Sequence, residues 1–452
     1  MAQPEGATQP AEKRKKNFAE VSFGLSKKIA IEEARRYPQH LNTTDASVCP
    51  IGVDVPGFIR ILREGNVAGA YEKVREANCL PAICGRVCPA PCENAFASGE
   101  HGAPIGIRAL ERFVSDHGRM RSAKKASISN SSVKIAIIGS GPAGLAAANE
   151  LVASGHRVTI YESLDKPGGV LRYGIPEFRI PEKILDQDIK GLINAGVEIK
   201  TNFFVSQTVT IDELFKEGYK IILLATGAGI PKFMDLPGAN LGGVYYGEEF
   251  LMRANLTKRN LFGQISTDFK VGPRLAVIGS GNTALDCARV GVRYGCDVTL
   301  IFRGTEEDLR VRESERKYAR EEGVRFQPLT KSLEILGDQE NFVKGLRCIQ
   351  MDYADTQQND QWELVQVPDS EFTIEADSVV IAIGHEANAM AVRNNDQIKI
   401  DSDGTINANE SSMTSIPGIF ACGNIVTNAG NIVEAMASGK QAAKSIDEYL
   451  KK

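Results

Sequence analysis

Twice in this chain a short apolar strand runs into a glycine-rich turn and straight out again into a helix, and no other feature limits the fold so severely. The first copy is VKIAIIGSGPAGLAAANELVASGHRVTIYES, residues 133–163. Gly139 serves the tight turn, Gly141 lets a ligand approach the backbone, and Gly144 lets helix and strand pack closely. Pro142 and Ala143 open the helix, whose first N–H groups suit a phosphate. Glu162, eighteen residues after Gly144, ends the next strand where it can accept from a ribose hydroxyl. A glycine triplet alone is a packing turn; strand, helix and acid together make it a dinucleotide-binding unit.

The second copy is PRLAVIGSGNTALDCARVGVRYGCDVTLIFRG, residues 273–304, with Gly279, Gly281 and Ala284 in the three slots and Asn282 and Thr283 at the helix start. Alanine in the third slot still permits close packing. Its second strand ends in Phe302-Arg303, where an NAD site would place an acid; arginine suits a 2′-phosphate and favours NADP over NAD. Two such units, one inserted before the chain returns to the other, suggest a flavin and a nicotinamide facing each other for hydride transfer. LLATGAG, residues 223–229, reads as the exit from the first unit, and ADSVVIAIGHEAN with TSIPGIFACGNIV as the return. Short β-branched runs alternating with helical stretches give the fold class: α/β, with parallel sheets and two Rossmann-like domains.

Ahead of both units lies a region of helical spacing in which residues 48–92 hold five of the nine cysteines. Disulfides, zinc and iron–sulfur clusters all use cysteine at such spacing. A chain of 452 residues buries sizeable cores without disulfide staples. No apolar run approaches the roughly 18–20 residues of a membrane span, and MAQPEGATQPAEKRKKNFAE offers no apolar stretch for a secretory signal. A reducing cytoplasm is therefore expected, where clustered cysteines favour metal or redox chemistry. With a net charge of −4 and only the short basic run Lys13–Lys16, a nucleic-acid face is not expected. The expected organisation is a flexible solvated tail over 1–20, a helical domain over 21–128 ending in the polar linker SAKKASISNSS, one dinucleotide domain over 129–250 and 380–452, and an inserted one over 251–379.

The stretches LPAICGRVCPAPC, GSGPAGLAAA, GGVLRYGIPEFRIP, ATGAG, GSGNTALDCAR and SIPGIFACGNIV with EAMASGKQAAKSIDEYL carry a resemblance over nearly the whole chain. It resembles the glutamate synthase small subunit, and the same module in the large subunit of NADH-dependent ferredoxin:NADP oxidoreductase and the N-terminal part of dihydropyrimidine dehydrogenase. The resemblance implies an α-helical iron–sulfur domain, an FAD domain and an NADP domain inserted in it. It implies cofactor contacts at Gly169, Val170, Arg179, Val205, Ala225, Thr226, Gly227, Gly384, Gly423 and Asn424, the last standing where relatives have aspartate. Relatives also place a phosphate-contacting arginine where this chain has Arg310 or Arg312, but the second basic residue after the aromatic is here Gly304.

Relatives carry two 4Fe–4S clusters. All four cysteines of the one farther from the flavin are replaced, by Tyr37, His40, Asp45 and Phe96. The resemblance therefore implies a single cluster, on Cys49, Cys88, Cys92 and the carboxylate of Glu111. Cys84 is an alternative fourth ligand, and otherwise it and Cys79 read as small buried hydrophobes. From the thiols alone, zinc on three cysteines and a carboxylate stays permissible. Cys287, Cys296, Cys348 and Cys422 read as core residues, and His40, His101, His117, His156 and His385 are too scattered for a catalytic set.

The expected function is an electron-transfer flavoprotein subunit passing electrons between NAD(P)H, FAD and one cluster to or from a larger redox partner, itself iron–sulfur or flavin containing, with ferredoxin a candidate. Flavin-based bifurcation is one version and a glutamate synthase-like NADPH reductase another. A structural subunit that has lost redox activity is the alternative from a different class. A disulfide reductase is disfavoured, since residues 133–452 hold no C-x-x-C pair.

Overall fold

The computed structural model describes residues 6–37, 48–95, 104–119, 132–260, 269, 271–355, 362–393, 395–428 and 430–451. Helices Lys27–Arg35, Val55–Arg63, Val67–Arg75, Pro81–Val87, Pro91–Ala95 and Ile107–His117 make the N-terminal domain. Ser26, Asp54 and Asn66 start the first three by accepting from the N–H of Ile29, Gly57 and Gly69. Phe58, Ile59 and Leu62 share a core with Leu110, Phe113 and Val114, and that core continues without a break into Ile135, Leu145 and Met436 of the next domain. The linker at 122–132 thus separates the two domains along the chain but not in packing; its residues 122–131 lie outside the described ones.

Two five-stranded parallel sheets follow. The first runs in the order Ile419–Ala421, Tyr219–Leu224, Lys134–Ile138, Arg157–Tyr161, Glu198–Lys200, and the second in the order Val244–Tyr246, Ser378–Ile381, Arg274–Ile278, Asp297–Ile301, Arg325–Gln327. Each glycine loop sits at the carboxyl end of its sheet's central strand, where α/β sheets bind ligands. An antiparallel sheet of Thr330–Gly337, Val343–Asp355 and Trp362–Glu375 is added to the inserted domain. Among the described residues no helix is long and apolar enough to cross a membrane.

The inserted domain is larger than the expected 251–379. Val244–Tyr246 and Ser378–Ile381 both pair in the second sheet, and the two crossings meet as the antiparallel pair Ile230–Pro231 with His385–Glu386. ADSVVIAIGHEAN therefore belongs to the second sheet up to Ile381, and the return begins only after it. Val244-Tyr245-Tyr246 escapes sequence reading because three half-buried residues give no apolar run.

The expected tail over 1–20 is corrected more sharply: of its residues, 6–20 are described and they are packed. Gln9 N–H donates to the Val21 carbonyl at 2.9 Å, and Val21 N–H to that of Phe178 at 3.0 Å. Phe18 packs at a tilt against Phe178 and edge-on against Tyr294. Arg14 is buried, with Nε 2.9 Å from Glu322, and Glu20 accepts from Arg86 at 2.7 Å and Arg112 at 2.8 Å. The segment is a strap joining the helical and inserted domains. Its polar composition reads as solvated because every partner is remote in sequence.

Glu322 is the anchor of this strap, taking Arg289 at 2.9 and 3.0 Å and Arg293 at 2.7 Å as well. Burial pushes its carboxyl up, but Arg289 and Arg293 outweigh burial and hold it at about 2. A depressed carboxyl contributes stability above its ordinary range, lost as pH falls toward the folded value. Glu322→Gln should cost about 3–5 kcal/mol near neutrality, since it strands buried guanidiniums. The gap between wild type and variant should narrow as pH falls from about 4.5 toward about 2. Urea midpoints across that range check this, and a gap that stays constant would count against it.

Candidate functional site

Helix Pro81–Val87 stops at Cys88, whose extended backbone precedes Pro89. Ala90 then takes a φ of 55°, its N–H donates to Cys88 Sγ at 3.3 Å, and Pro91 opens the short helix that carries Cys92. The turn presents its sulfurs to a cavity walled also by Cys49, Pro50, Ile51, Phe58, Cys84, Arg108, Glu111 and Val433. Cys49, Cys88, Cys92 and Glu111 are thus brought together, with Cys84 beside them. Cys79 is buried away from the cavity lining. Tyr37 is buried in the helical core, while His40, Asp45 and Phe96 lie outside the described residues.

The electrostatics of this pocket suit a cationic guest. Burial pushes Glu111 up to about 7, against the pull of its hydrogen bond from Asn78 Nδ2 at 2.7 Å. Burial pushes Cys88 up to about 12, and the charge of Glu111 adds to it. Cys49, Cys84 and Cys92 are raised in the same way. In this wall Arg108 Nε is a buried donor with no partner. Donors that oppose each other's ionisation, beside an unused N–H, fit a metal–sulfide cluster, which supplies both positive iron and acceptor sulfur. Among the described residues no three metal-ligating side chains converge at the spacing of a single ion. Thiols and a carboxylate lining one cavity are a donor set that suits an iron–sulfur cluster.

The first glycine loop divides its labour as its spacing implies. A Cβ on Gly139 would stand 2.5 Å from the Ala225 carbonyl oxygen, and one on Gly144 would stand 2.1 Å from that of Gly139. Gly141 faces nothing within 4 Å, so it is the open position above which a phosphate fits. Glu162 is buried at the loop, accepting from Ser140 N–H at 3.0 Å and Ser140 Oγ at 2.5 Å, which links it to the loop as well as to any ribose. Gly169 crosses over Gly141, with Val170 exposed after it. Thr226 Oγ donates to the Asn388 carbonyl at 2.7 Å beside Ala225 and Gly227. Gly423 lies against Ala143 and donates to Ser438 Oγ at 2.9 Å, and Asn424 starts the helix after it.

Two expected contacts also have partners within the chain. Arg179 is ion-paired with Asp286 of the inserted domain at 2.6 Å, and Val205 is core, bridged to Val209. Gly384 sits at the crossing between domains with a φ of 123°, and the neighbouring His385 pairs with Glu248.

In the second loop a Cβ on Gly279 would stand 2.2 Å from the Ala382 oxygen, while Gly281 again faces open space, with Asn282 and Thr283 opening the helix. Arg303 and Arg310 are exposed, and Arg310 N–H donates to the Ser280 carbonyl at 3.2 Å, which sets it beside the loop. Arg312 faces the other way: its Nη2 donates to the Cys88 carbonyl at the cluster cavity.

Sequence reading missed Asn78, Arg108 and Lys440, and it offered Arg312 only as a phosphate contact, whereas Arg312 reaches the Cys88 carbonyl. Lys440 donates to the carbonyls of Ile51 and Ala77 at 2.8 and 2.7 Å, tying the C-terminal helix to the cysteine domain. Asn78 accepts from Leu80 N–H at 2.9 Å, just ahead of the helix Pro81–Val87, while its Nδ2 holds Glu111. Its place just ahead of Cys79 was the one available signal.

This fold and these sites define a class, the flavoprotein with two dinucleotide domains served by an iron–sulfur domain. The family of pyridine nucleotide-disulphide oxidoreductases matches residues 133–441, and the family of dihydropyrimidine dehydrogenase domain II, 4Fe–4S cluster, matches residues 14–123. The beta subunit of NADP(+)-dependent formate dehydrogenase from Moorella thermoacetica is 33% identical over 89% of this chain, which spans 59% of that relative. The small chain of the NADPH glutamate synthase from Escherichia coli K12 is 31% identical, over 98% of this chain and 96% of its own. FprA from Mycobacterium tuberculosis in complex with NADPH shares the fold, with a TM-score of 0.57 and 21% identity over 71% of this chain and 85% of that one. The chain belongs to the glutamate synthase small chain family, with a pyridine nucleotide-disulphide oxidoreductase core, and is an NAD(P)H-dependent oxidoreductase using FAD and a 4Fe–4S cluster.

The glycine geometry separates two substitutions. Gly141→Ala should leave the thermal midpoint of flavin-free protein within about 2 °C, because its backbone is extended and its surroundings open, yet lower bound FAD several-fold. Gly139→Ala, at a φ of 107°, should lower the midpoint itself. Flavin absorbance and melting curves of both variants check the contrast.

Proposed function

We propose that this chain is an electron-transfer subunit that takes electrons from NADPH and delivers them, through FAD and one 4Fe–4S cluster, to a partner subunit. The observation that carries the reading is the helix Ile432–Leu450. Its Val433 lines the cysteine cavity, its Met436 sulfur accepts from Cys84 Sγ at 3.7 Å, and its Gly439 packs on Ala143 at the first glycine loop. One helix thus lies between the dinucleotide loop and the cavity, which keeps the electron gap short.

FAD accepts the hydride of a nicotinamide and releases electrons singly. Cys49, Cys88, Cys92 and Glu111 would hold the cluster. Asn78 occupies one carboxylate oxygen of Glu111 and leaves the other for iron, whereas the Cys84 thiol is engaged with Met436, which supports Glu111 as fourth ligand. Gly139, Gly141 and Gly144 would seat the pyrophosphate of FAD, and Glu162 its ribose. Exposed Arg303 and Arg310 support NADPH over NADH, because two cations beside the second loop suit a 2′-phosphate. That similar proteins are a small chain and a beta subunit of larger enzymes supports a partner that supplies the second substrate's chemistry.

Anaerobic analysis of the purified chain should give about four iron and one FAD. NADPH should bleach the flavin faster than NADH, and Arg303→Ala should narrow that difference about tenfold. Cys88→Ala should lose iron and keep FAD. About eight iron would overturn the single-cluster assignment, and no bleaching by either nucleotide would overturn the reductase reading.

A further inference from the structure

The segment Leu309–Arg312 touches both cofactor sites at once. At one end the Arg310 N–H is bonded to the carbonyl of Ser280, the residue between Gly279 and Gly281 of the nucleotide loop. Two residues on, Arg312 reaches out of its own domain, and its Nη2 donates to the carbonyl of Cys88. It is the residue just before the helix Glu313–Glu322, so its backbone is fixed by that helix, whose Glu315 and Glu322 are paired with Arg289. Arg108, which belongs to the helical domain, lines the same cavity, donates from Nη1 to the Arg86 carbonyl at 2.8 Å, and has a buried, unpartnered Nε. Two guanidiniums of different domains therefore serve this cavity, one held within the cysteine domain and one supplied by the nucleotide domain.

The chemistry of the donor set gives these cations a task. A 4Fe–4S core bound by thiolates and a carboxylate is anionic, and it gains a further negative charge on reduction. A nearby cation favours the reduced form, so it raises the reduction potential, and hydrogen bonds and charge around a cluster are among the established levers on that potential. The contribution of Arg312 depends on where the nucleotide domain holds it.

We infer that Arg312 is a positioning residue that couples nucleotide occupancy to the cluster, so that NADP(H) bound at the Gly279–Gly281 loop changes the cluster's reduction potential through the Leu309–Arg312 segment. The inference rests on the assignment of the cluster to Cys49, Cys88, Cys92 and Glu111. Arg108 supplies a constant charge and Arg312 the part that responds. Linkage requires the reciprocal effect: the redox state of the cluster changes the affinity for the nucleotide by the same factor.

The test is a redox titration of the cluster in the full chain, followed by low-temperature EPR, with and without saturating NADP+, in wild type, Arg312→Gln, Arg312→Lys and Arg310→Gln. In wild type the nucleotide should shift the midpoint. Arg312→Gln should lower the midpoint of the nucleotide-free protein by about tenfold in the reduction equilibrium, about 59 mV for one electron, and abolish the nucleotide shift at unchanged FAD content. Arg312→Lys should recover part of the potential. Arg310→Gln should weaken NADP+ binding but leave the nucleotide-free midpoint in place. An unmoved midpoint in Arg312→Gln, a nucleotide shift that survives in it, or weaker NADP+ binding as its sole defect would each overturn the coupling while leaving the cluster assignment standing. Absence of a cluster signal in the wild type would overturn that assignment and the coupling with it.

Discussion

Where Gly439 crosses the first turn of the helix Pro142–Ala153, the C-terminal helix lies directly on backbone: a Cβ there would stand 2.2 Å from the Ala143 oxygen. Much of the site's geometry hangs on that approach. It brings Gly423 against Ala143 at the dinucleotide loop, Met436 against Cys84, Val433 into the cavity wall, and Lys440 onto the carbonyls of Ile51 and Ala77. Any larger residue at 439 would lift the helix, and the loop and the cavity would separate together. The short path between them is a packing property, set by the absence of a side chain.

The inserted domain is held against this assembly by polar links of a different kind. Arg179 reaches across to Asp286, Arg312 to the Cys88 carbonyl, and the strap brings Arg14 to Glu322. Buried ion pairs of this sort add less net stability than their number suggests, because desolvation offsets attraction. Their effect is on geometry: each fixes a guanidinium fork in one orientation, so the domains meet in one register.

Much of this was legible in the sequence. Both glycine loops, the parallel α/β class, the helical character of the N-terminal region and the gathering of Cys49, Cys88, Cys92 and Glu111 follow from local spacing or from family resemblance, and local spacing survives folding. What was not legible depends on long-range pairing. Arg14 looks like one more charge in a polar segment until Glu322 is beside it, and no local pattern announces the pairing of Arg179 with Asp286. Val244–Tyr246 lacks the apolar run of a central strand because it lies at a sheet edge. Asn78 carries no motif, since its importance comes from a carboxylate thirty-three residues away.

The strap also has a consequence for how the molecule comes into being. Its residues are made well ahead of their partners: Arg14 finds Glu322 and Asn17 finds Arg293 only after some three hundred further residues have been made. Contacts of such separation form late, once the intervening loop has been closed. For most of synthesis only one end of the strap can therefore be made: Arg86 and Arg112 can pair with Glu20 before the nucleotide domain exists to receive Arg14. The strap is thus a fastening made at one end early and at the other only when the inserted domain is complete.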